Sequence, residues 1–197
     1  MSNLIERIAV APMLDWSDRH YRYFMRQISR HATLYTEMVV ADGIIHGNRE
    51  RLLAFDPSEQ PLVLQLGGSE PAKLAQVSKV AYDYGYREIN LNCGCPSERV
   101  QSGSFGACLM REPDLVAECV KAMQDAVGIP ITIKHRIGLD YDYNYDYLAE
   151  FVSKISAAGS NKIIVHARTA VLKGLSPKDN RQIPPLRYDL VYQLKQD

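Results

Sequence analysis

The stretch Asn92-Cys93-Gly94-Cys95 puts amide and thiol chemistry where a strand gives way to a loop. A thiol with a reference pKa near ~8.5 is mostly protonated at neutral pH, so it can give a proton as well as attack. Gly94 tolerates unusual backbone angles or the close approach of a ligand, and Pro96 stiffens the loop beyond Cys95. A single cysteine is more often a small buried core residue, but a place beside Asn92 at a strand end favours chemistry. Further candidates are Gln65, Lys134 and His166, each near the end of an apolar run. A strand turns alternate side chains to opposite faces, so polar residues of one parity mark one face. Asn90 and Asn92 oppose Ile89 and Leu91, and Thr132, Lys134 and Arg136 form the polar face of the 131–136 run. His166 and Arg168, with Ile164, oppose Ile163, Val165 and Ala167, and Gln65 opposes Leu64 and Leu66. Any one polar strand end is explained by solvation alone; four together favour a convergent site.

The elements that must position these residues are short apolar runs at 7–11, 33–36, 62–66, 88–92, 131–135 and 162–166. They recur at intervals of about 27 to 42 residues, the length of a parallel β-α-β unit. Helical patterns fill the gaps at 18–29, 70–84, 114–126 and 146–158, with a last one at 188–195. A Ser/Asp cap precedes the first, Pro71 and Pro113 lie at the starts of the next two, and Gly85, Gly128 and Gly159 follow three of the ends. The alternation predicts a parallel α/β fold. No G-x-G-x-x-G or Walker loop follows any strand, which weakens a doubly wound nucleotide-binding sheet. A closed barrel instead packs the apolar parity against outer helices and gathers the polar parity at the carboxyl ends of the strands. The expectation is a TIM (β/α)8 barrel, incomplete, with about six of its eight units: 197 residues fall short of the ~250 that a full barrel takes. Residues 1–197 read as one partial catalytic domain.

Lys plus Arg and Asp plus Glu number 23 each, so the formal net charge is zero and bulk charge does not hold nucleic acid. A local basic patch is compatible with that balance. Lys173, Lys178, Arg181 and Arg187 lie in one proline-rich stretch after the sixth strand, and Arg99 follows the cysteine loop. From charge alone a solvated loop is the better reading. Alternating tyrosines 141, 143, 145 and 147 suit base stacking, though an ordinary loop and helix start explains them better. The four cysteines show no C-x-x-C pair, and neither a signal peptide nor an apolar run long enough to span a bilayer is apparent. Free thiols and a cytoplasmic setting are expected, with no membrane partner and no metal.

Three segments carry a resemblance. Ala11-Pro12-Met13-Leu14-Asp15-Trp16-Ser17-Asp18-Arg19, Asn92-Cys93-Gly94-Cys95-Pro96-Ser97 and Lys134-His135-Arg136 resemble the tRNA-dihydrouridine synthases. Gly174-Leu175-Ser176-Pro177-Lys178, with Asn180-Arg181 and Ile183-Pro184-Pro185-Leu186, is similar to the A-type bacterial subfamily. The resemblance implies reduction of uridine to 5,6-dihydrouridine in the D-loop of tRNA, with FMN as cofactor and NADPH as reductant. It places flavin contacts at Pro12, Met13, Leu14, Gln65, Lys134 and His166, and the proton donor at Cys95, the thiol that directly precedes Pro96. Cys93 stands where relatives commonly carry an apolar residue. Hydride from flavin N5 to uracil C6 leaves charge that Cys95 quenches with a proton at C5. The resemblance also puts Asn92 on the uracil edge or the tRNA, and Lys178 and Arg181 on tRNA. Relatives continue past position 197 with two strands whose loops hold the flavin phosphate, then a helical tRNA-binding domain. A barrel lacking these parts is expected to hold FMN weakly, and the resemblance leaves open whether this chain alone turns over. The alternatives are a non-catalytic tRNA-binding remnant and a Schiff-base lyase or aldolase using Lys134.

Overall fold

A computed structural model describes residues 8–140, 143–160 and 162–197. Six parallel strands pair in sequence order: β1 (Ala9–Val10), β2 (Thr33–Val40), β3 (Leu62–Gly67), β4 (Ile89–Cys93), β5 (Ile131–Arg136) and β6 (Ile163–His166). The helices are α1 (Arg19–Ile28), α2 (Ala41–His46), α3 (Arg49–Leu53), α4 (Pro71–Asp83), α5 (Glu98–Ser102), α6 (Pro113–Ala126), α7 (Tyr145–Ala157) and α8 (Tyr188–Gln196). Consecutive parallel neighbours joined by helices are six units of a (β/α)8 barrel, as expected from the alternation. Among the described residues no helix is long and apolar enough to cross a membrane.

The core lies between the sheet and the helices. Leu64, Leu66, Ile89, Leu91, Ile131 and Ile133 are fully buried on the outward face, against Leu74 and Val77 of α4 and Val116, Val120 and Met123 of α6. Proline starts both helices at a position whose N–H needs no partner. Asp18, Asn48 and Asn144 cap α1, α3 and α7 by accepting backbone N–H bonds. Cys93 takes the outward parity and is fully buried there, and desolvation pushes its thiol well above its usual range. His135 also points outward, its ring 5.0 Å from Phe151, and burial lowers its pKa to about 4.

Two strand boundaries depart from the periodicity reading. Strand β1 is shorter: Arg7 lies outside the described residues, and pairing stops at Val10, just before Ala11-Pro12, where proline has no N–H to offer a ladder. Strand β2 is longer, running to Val40 rather than to Thr36. Its register against β3 shifts between Tyr35 and Met38, a bulge that breaks the two-residue period. The Thr36 hydroxyl repairs the gap by accepting the Gln65 N–H at 3.0 Å and donating to the Glu37 carbonyl at 2.7 Å. Short helices α2, α3 and α5 had no amphipathic pattern long enough to read.

At the amino ends of β2 and β3, two arginines of α1 are buried. Arg26 donates to the carbonyls of Ser29, Ala32, Glu59 and Pro61, and Arg22 pairs with Glu59 at 2.5 Å. Glu59 in turn accepts the Asp56 N–H. These bonds join α1 to the segments that lead into both strands. Glu59→Gln leaves Arg22 buried without its counter-charge and is expected to cost about 3 kcal/mol, read as a lowered urea midpoint with an unchanged m-value.

Candidate active site

The interior face carries the polar parity. Register aligns Gln65 with Asn90, Asn90 with Thr132, Asn92 with Lys134, and Arg136 with His166. The four strands therefore place these side chains side by side across the inside of the barrel. Gln65 is 1% exposed; its Nε2 donates to Asn90 Oδ1 and its Oε1 accepts from Asn92 Nδ2, both at 2.8 Å. Asn90 Nδ2 donates to Thr132 Oγ1 at 3.1 Å. Gln65 and Asn92 thus spend much of their capacity on each other, a use that strand parity did not reveal.

The cysteine loop hangs from Asn92. Its Oδ1 accepts the N–H groups of Gly94 at 3.1 Å and Cys95 at 2.9 Å, the geometry of an Asx turn. Cys95 is half-buried, its Sγ 3.6 Å from Ser97 Oγ, and its carbonyl accepts the Ala107 N–H. Gly106 makes that approach possible: its φ is +77°, and a Cβ there would meet the Cys95 carbonyl at 2.7 Å. The two neighbouring thiols share parity but not surroundings: β4 ends at Cys93, which lies in the helical layer, and the turn at Gly94 carries Cys95 onto the loop.

Arg136 ties the cysteine loop to the long connection after β6. Its guanidinium donates to the carbonyls of Gly94, Thr169 and Asn180. Gln101 adds a second clamp, donating to Pro96 and Leu172. Asn180, fully buried, closes the 171–180 loop on itself through the N–H and carbonyl of Val171. Sequence reading kept Arg136 only as a face marker and missed the roles of Gln101 and Asn180. Arg136 and Gln101 reach carbonyls 33 to 71 residues away, which no local pattern signals, and Asn180 acts within its own loop, where its burial is a tertiary property.

Positive charge gathers at this rim. Desolvation lowers Lys134 to about 8, aided by Arg136 and opposed by Cys95. Desolvation also takes His166 to about 3, with Arg136, Lys134, Arg168 and Arg181 adding to the effect. Arg136 itself falls to about 10, burial again leading. Among the described residues neither the Lys134 nor the His166 side chain makes a hydrogen bond or ion pair.

Other candidates are more peripheral. Pro12 and Met13 are half-buried and Leu14 is exposed in the turn after β1. Ser17 holds that turn by accepting the Met13 N–H and donating to its carbonyl. Asp15, at φ +63°, gives its N–H to Glu37 from the β2 bulge. Lys178 and Arg181 are exposed beside the 179–181 turn, and Arg181 bears electrostatically on Arg136 and His166. Arg187 is engaged instead with Asp189 at 2.6 Å and lies over the Tyr143 ring. Tyr141 lies outside the described residues, and Tyr145 and Tyr147 stand in the first turn of α7.

The sequence model of the family described as "Dihydrouridine synthase (Dus)" matches residues 9–197. The chain belongs to the dihydrouridine synthase family. Proteins named tRNA-dihydrouridine(20/20a) synthase are close relatives. That of Synechocystis sp. is 60% identical over 193 residues, covering 98% of this chain and 58% of the relative. That of Xanthomonas axonopodis pv. citri is 61% identical over 191 residues, covering 97% and 57%. This dihydrouridine synthase family chain thus spans a little over half the length of the curated relatives it matches.

The lowered Lys134 gives a signed expectation. Below about pH 8 the folded protein holds an inward-facing cation that the unfolded chain would leave in water. Between that value and the ordinary 10.5, the folded lysine is neutral while the unfolded one stays protonated. The unfolded state then binds more protons, so this group's contribution to stability rises with pH. Lys134→Met should therefore raise Tm at pH 7 and raise it less at pH 10, compared by calorimetry with the parent at each pH.

Proposed function

We propose that this chain supplies the pyrimidine-facing part of a site that reduces uridine to 5,6-dihydrouridine in the D-loop of tRNA, with FMN as cofactor and NADPH as reductant. The observation that carries this reading is the desolvated, unpartnered Lys134 cation on the interior face, in register with Asn92, whose carboxamide holds the Cys95 loop. A cation without a counter-charge fits an electron-rich ring edge, and the isoalloxazine N1–O2 edge is one. Gln65, His166 and the Pro12-Met13-Leu14 turn stand at the same carboxyl-end rim, where barrel enzymes hold ligands. The donor set therefore fits FMN. When bound and reduced, FMN supplies a hydride to C6 of the uracil ring.

The chain's own residues do the rest. Cys95 holds a proton on Sγ for C5, and its neighbours Lys134 and Arg136 stabilise the thiolate left behind. Donation by a positioned acid is worth about 10²- to 10⁴-fold. His166 is neutral at physiological pH, so it enters the site as a hydrogen-bonding ring rather than a charge. Asn92 has committed its oxygen to two backbone donors, so what it has left for a pyrimidine is an N–H, suited to a carbonyl oxygen. Arg181 and Lys178, exposed on the loop beyond β6, face solvent where tRNA phosphates approach. A reducing cytoplasm suits the free thiols.

One observation favours a second reading. A lysine lowered to about 8 is also what Schiff-base chemistry needs; borohydride trapping of a carbonyl compound on Lys134 would support it. The test of the main reading is the dihydrouridine content of tRNA, by mass spectrometry, in cells lacking it and supplied with this chain. Restoration by the parent, and loss of about 10²-fold or more in rate with Cys95→Ala at equal FMN content, is the expected result. Equal rates for the two would remove Cys95 from the chemistry.

A further inference from the structure

A line of side chains runs inside the barrel from one end to the other. Lys162 Nζ donates to both oxygens of Glu88, at 3.0 and 2.9 Å, at the amino end of β4. Thr132 Oγ1 lies 3.1 Å from Glu88 Oε1, with the Ile89 carbonyl a longer alternative at 3.3 Å. Asn90, Gln65 and Asn92 then follow, each amide nitrogen giving a hydrogen to the oxygen of the next toward Glu88. Asn92 receives the N–H groups of Gly94 and Cys95 at the carboxyl end.

The sense of this line is set at both ends. A backbone N–H can only donate, so the Asn92 atom facing Gly94 and Cys95 must be oxygen. Its nitrogen therefore meets Gln65 oxygen, Gln65 nitrogen meets Asn90 oxygen, and Asn90 nitrogen meets the Thr132 hydroxyl. A carboxylate can only accept, so the hydroxyl hydrogen goes to Glu88. Both termini demand the same direction, and bonds polarised in one sense reinforce one another. A line of three amides with no such anchor could flip as a unit and offer nitrogen, rather than oxygen, to the loop.

We propose that Glu88 is a remote positioning residue for the Cys95 loop, acting through Thr132, Asn90, Gln65 and Asn92 to hold that loop in one hydrogen-bonded state. Of the two acceptors near Thr132, the carboxylate is closer and charged, and its bond is the stronger. Lys162 holds the carboxylate in place through both of its oxygens. The inference gives the proposed proton donor its support, but its test reads the loop directly and needs no turnover.

The measurement is the iodoacetamide alkylation rate of Cys95, resolved from the other three thiols by tandem mass spectrometry of the labelled peptide, in the folded chain. Glu88→Leu, which removes the acceptor, and Thr132→Val should each change that rate at least three-fold. The double variant should change it no further than either one, because both cut the same line. Thr132→Ser, which keeps the hydroxyl, should restore the parental rate. Glu59→Gln, which weakens the fold at the amino ends of β2 and β3, should leave the rate unaltered. Parental rates in Glu88→Leu, independent effects that multiply in the double variant, or an equal change in Glu59→Gln would each overturn the role. Absence of tRNA reduction by the parent chain, with these thiol results intact, would sink the proposed function instead.

Discussion

A parallel strand gives only every second side chain to the inside of a barrel, and on β4 and β5 of this chain those positions are polar. Burying a polar group without a partner costs more than any one hydrogen bond returns, so the interior had to be satisfied as a set. Gln65, Asn90, Asn92 and Thr132 meet that demand by bonding across strands rather than along them. The outward parity has no such constraint and fills with Leu, Ile and Val against α4 and α6. One periodicity therefore yields both a dry outer core and a hydrogen-bonded interior that ends at the cysteine loop.

The same geometry concentrates charge. The chain as a whole is neutral, yet Lys134, Arg136, Arg168 and Arg181 all bear on His166. Arg136 offsets its own burial by donating to three carbonyls, so it serves as a tie between loops while remaining a source of positive potential. Lys134 has no such partner and its proton is correspondingly loose. A rim of this kind holds open a place for negative charge or an electron-rich ring. It also explains why His166, so surrounded, is neutral.

Much of this was legible in the residues. Alternation in 88–92 and 131–136 identified the interior face, and strand-helix spacing implied six barrel units. What escaped reading has physical causes. The β2 bulge at Thr36-Glu37 breaks the two-residue period, so the strand read as ending four residues early. Parity said that Gln65 and Asn92 point inward but not that they bond to each other, because register between strands is a tertiary property. Cys93 and Cys95 looked equivalent by type and share parity; β4 ends at Cys93, facing outward, and the loop begun by Gly94 carries Cys95 elsewhere. Arg136 and Gln101 reach carbonyls 33 to 71 residues away, beyond any local signature, while Asn180 closes its own loop on carbonyls four to nine residues back.

Hydrogen exchange at the Gly94 and Cys95 amides tests the central claim most directly. If the Asn92 carboxamide locks the loop, both amides exchange as slowly as those of β4, despite lying outside the sheet. Exchange at the rate of an open loop, with β4 still protected, would contradict the account.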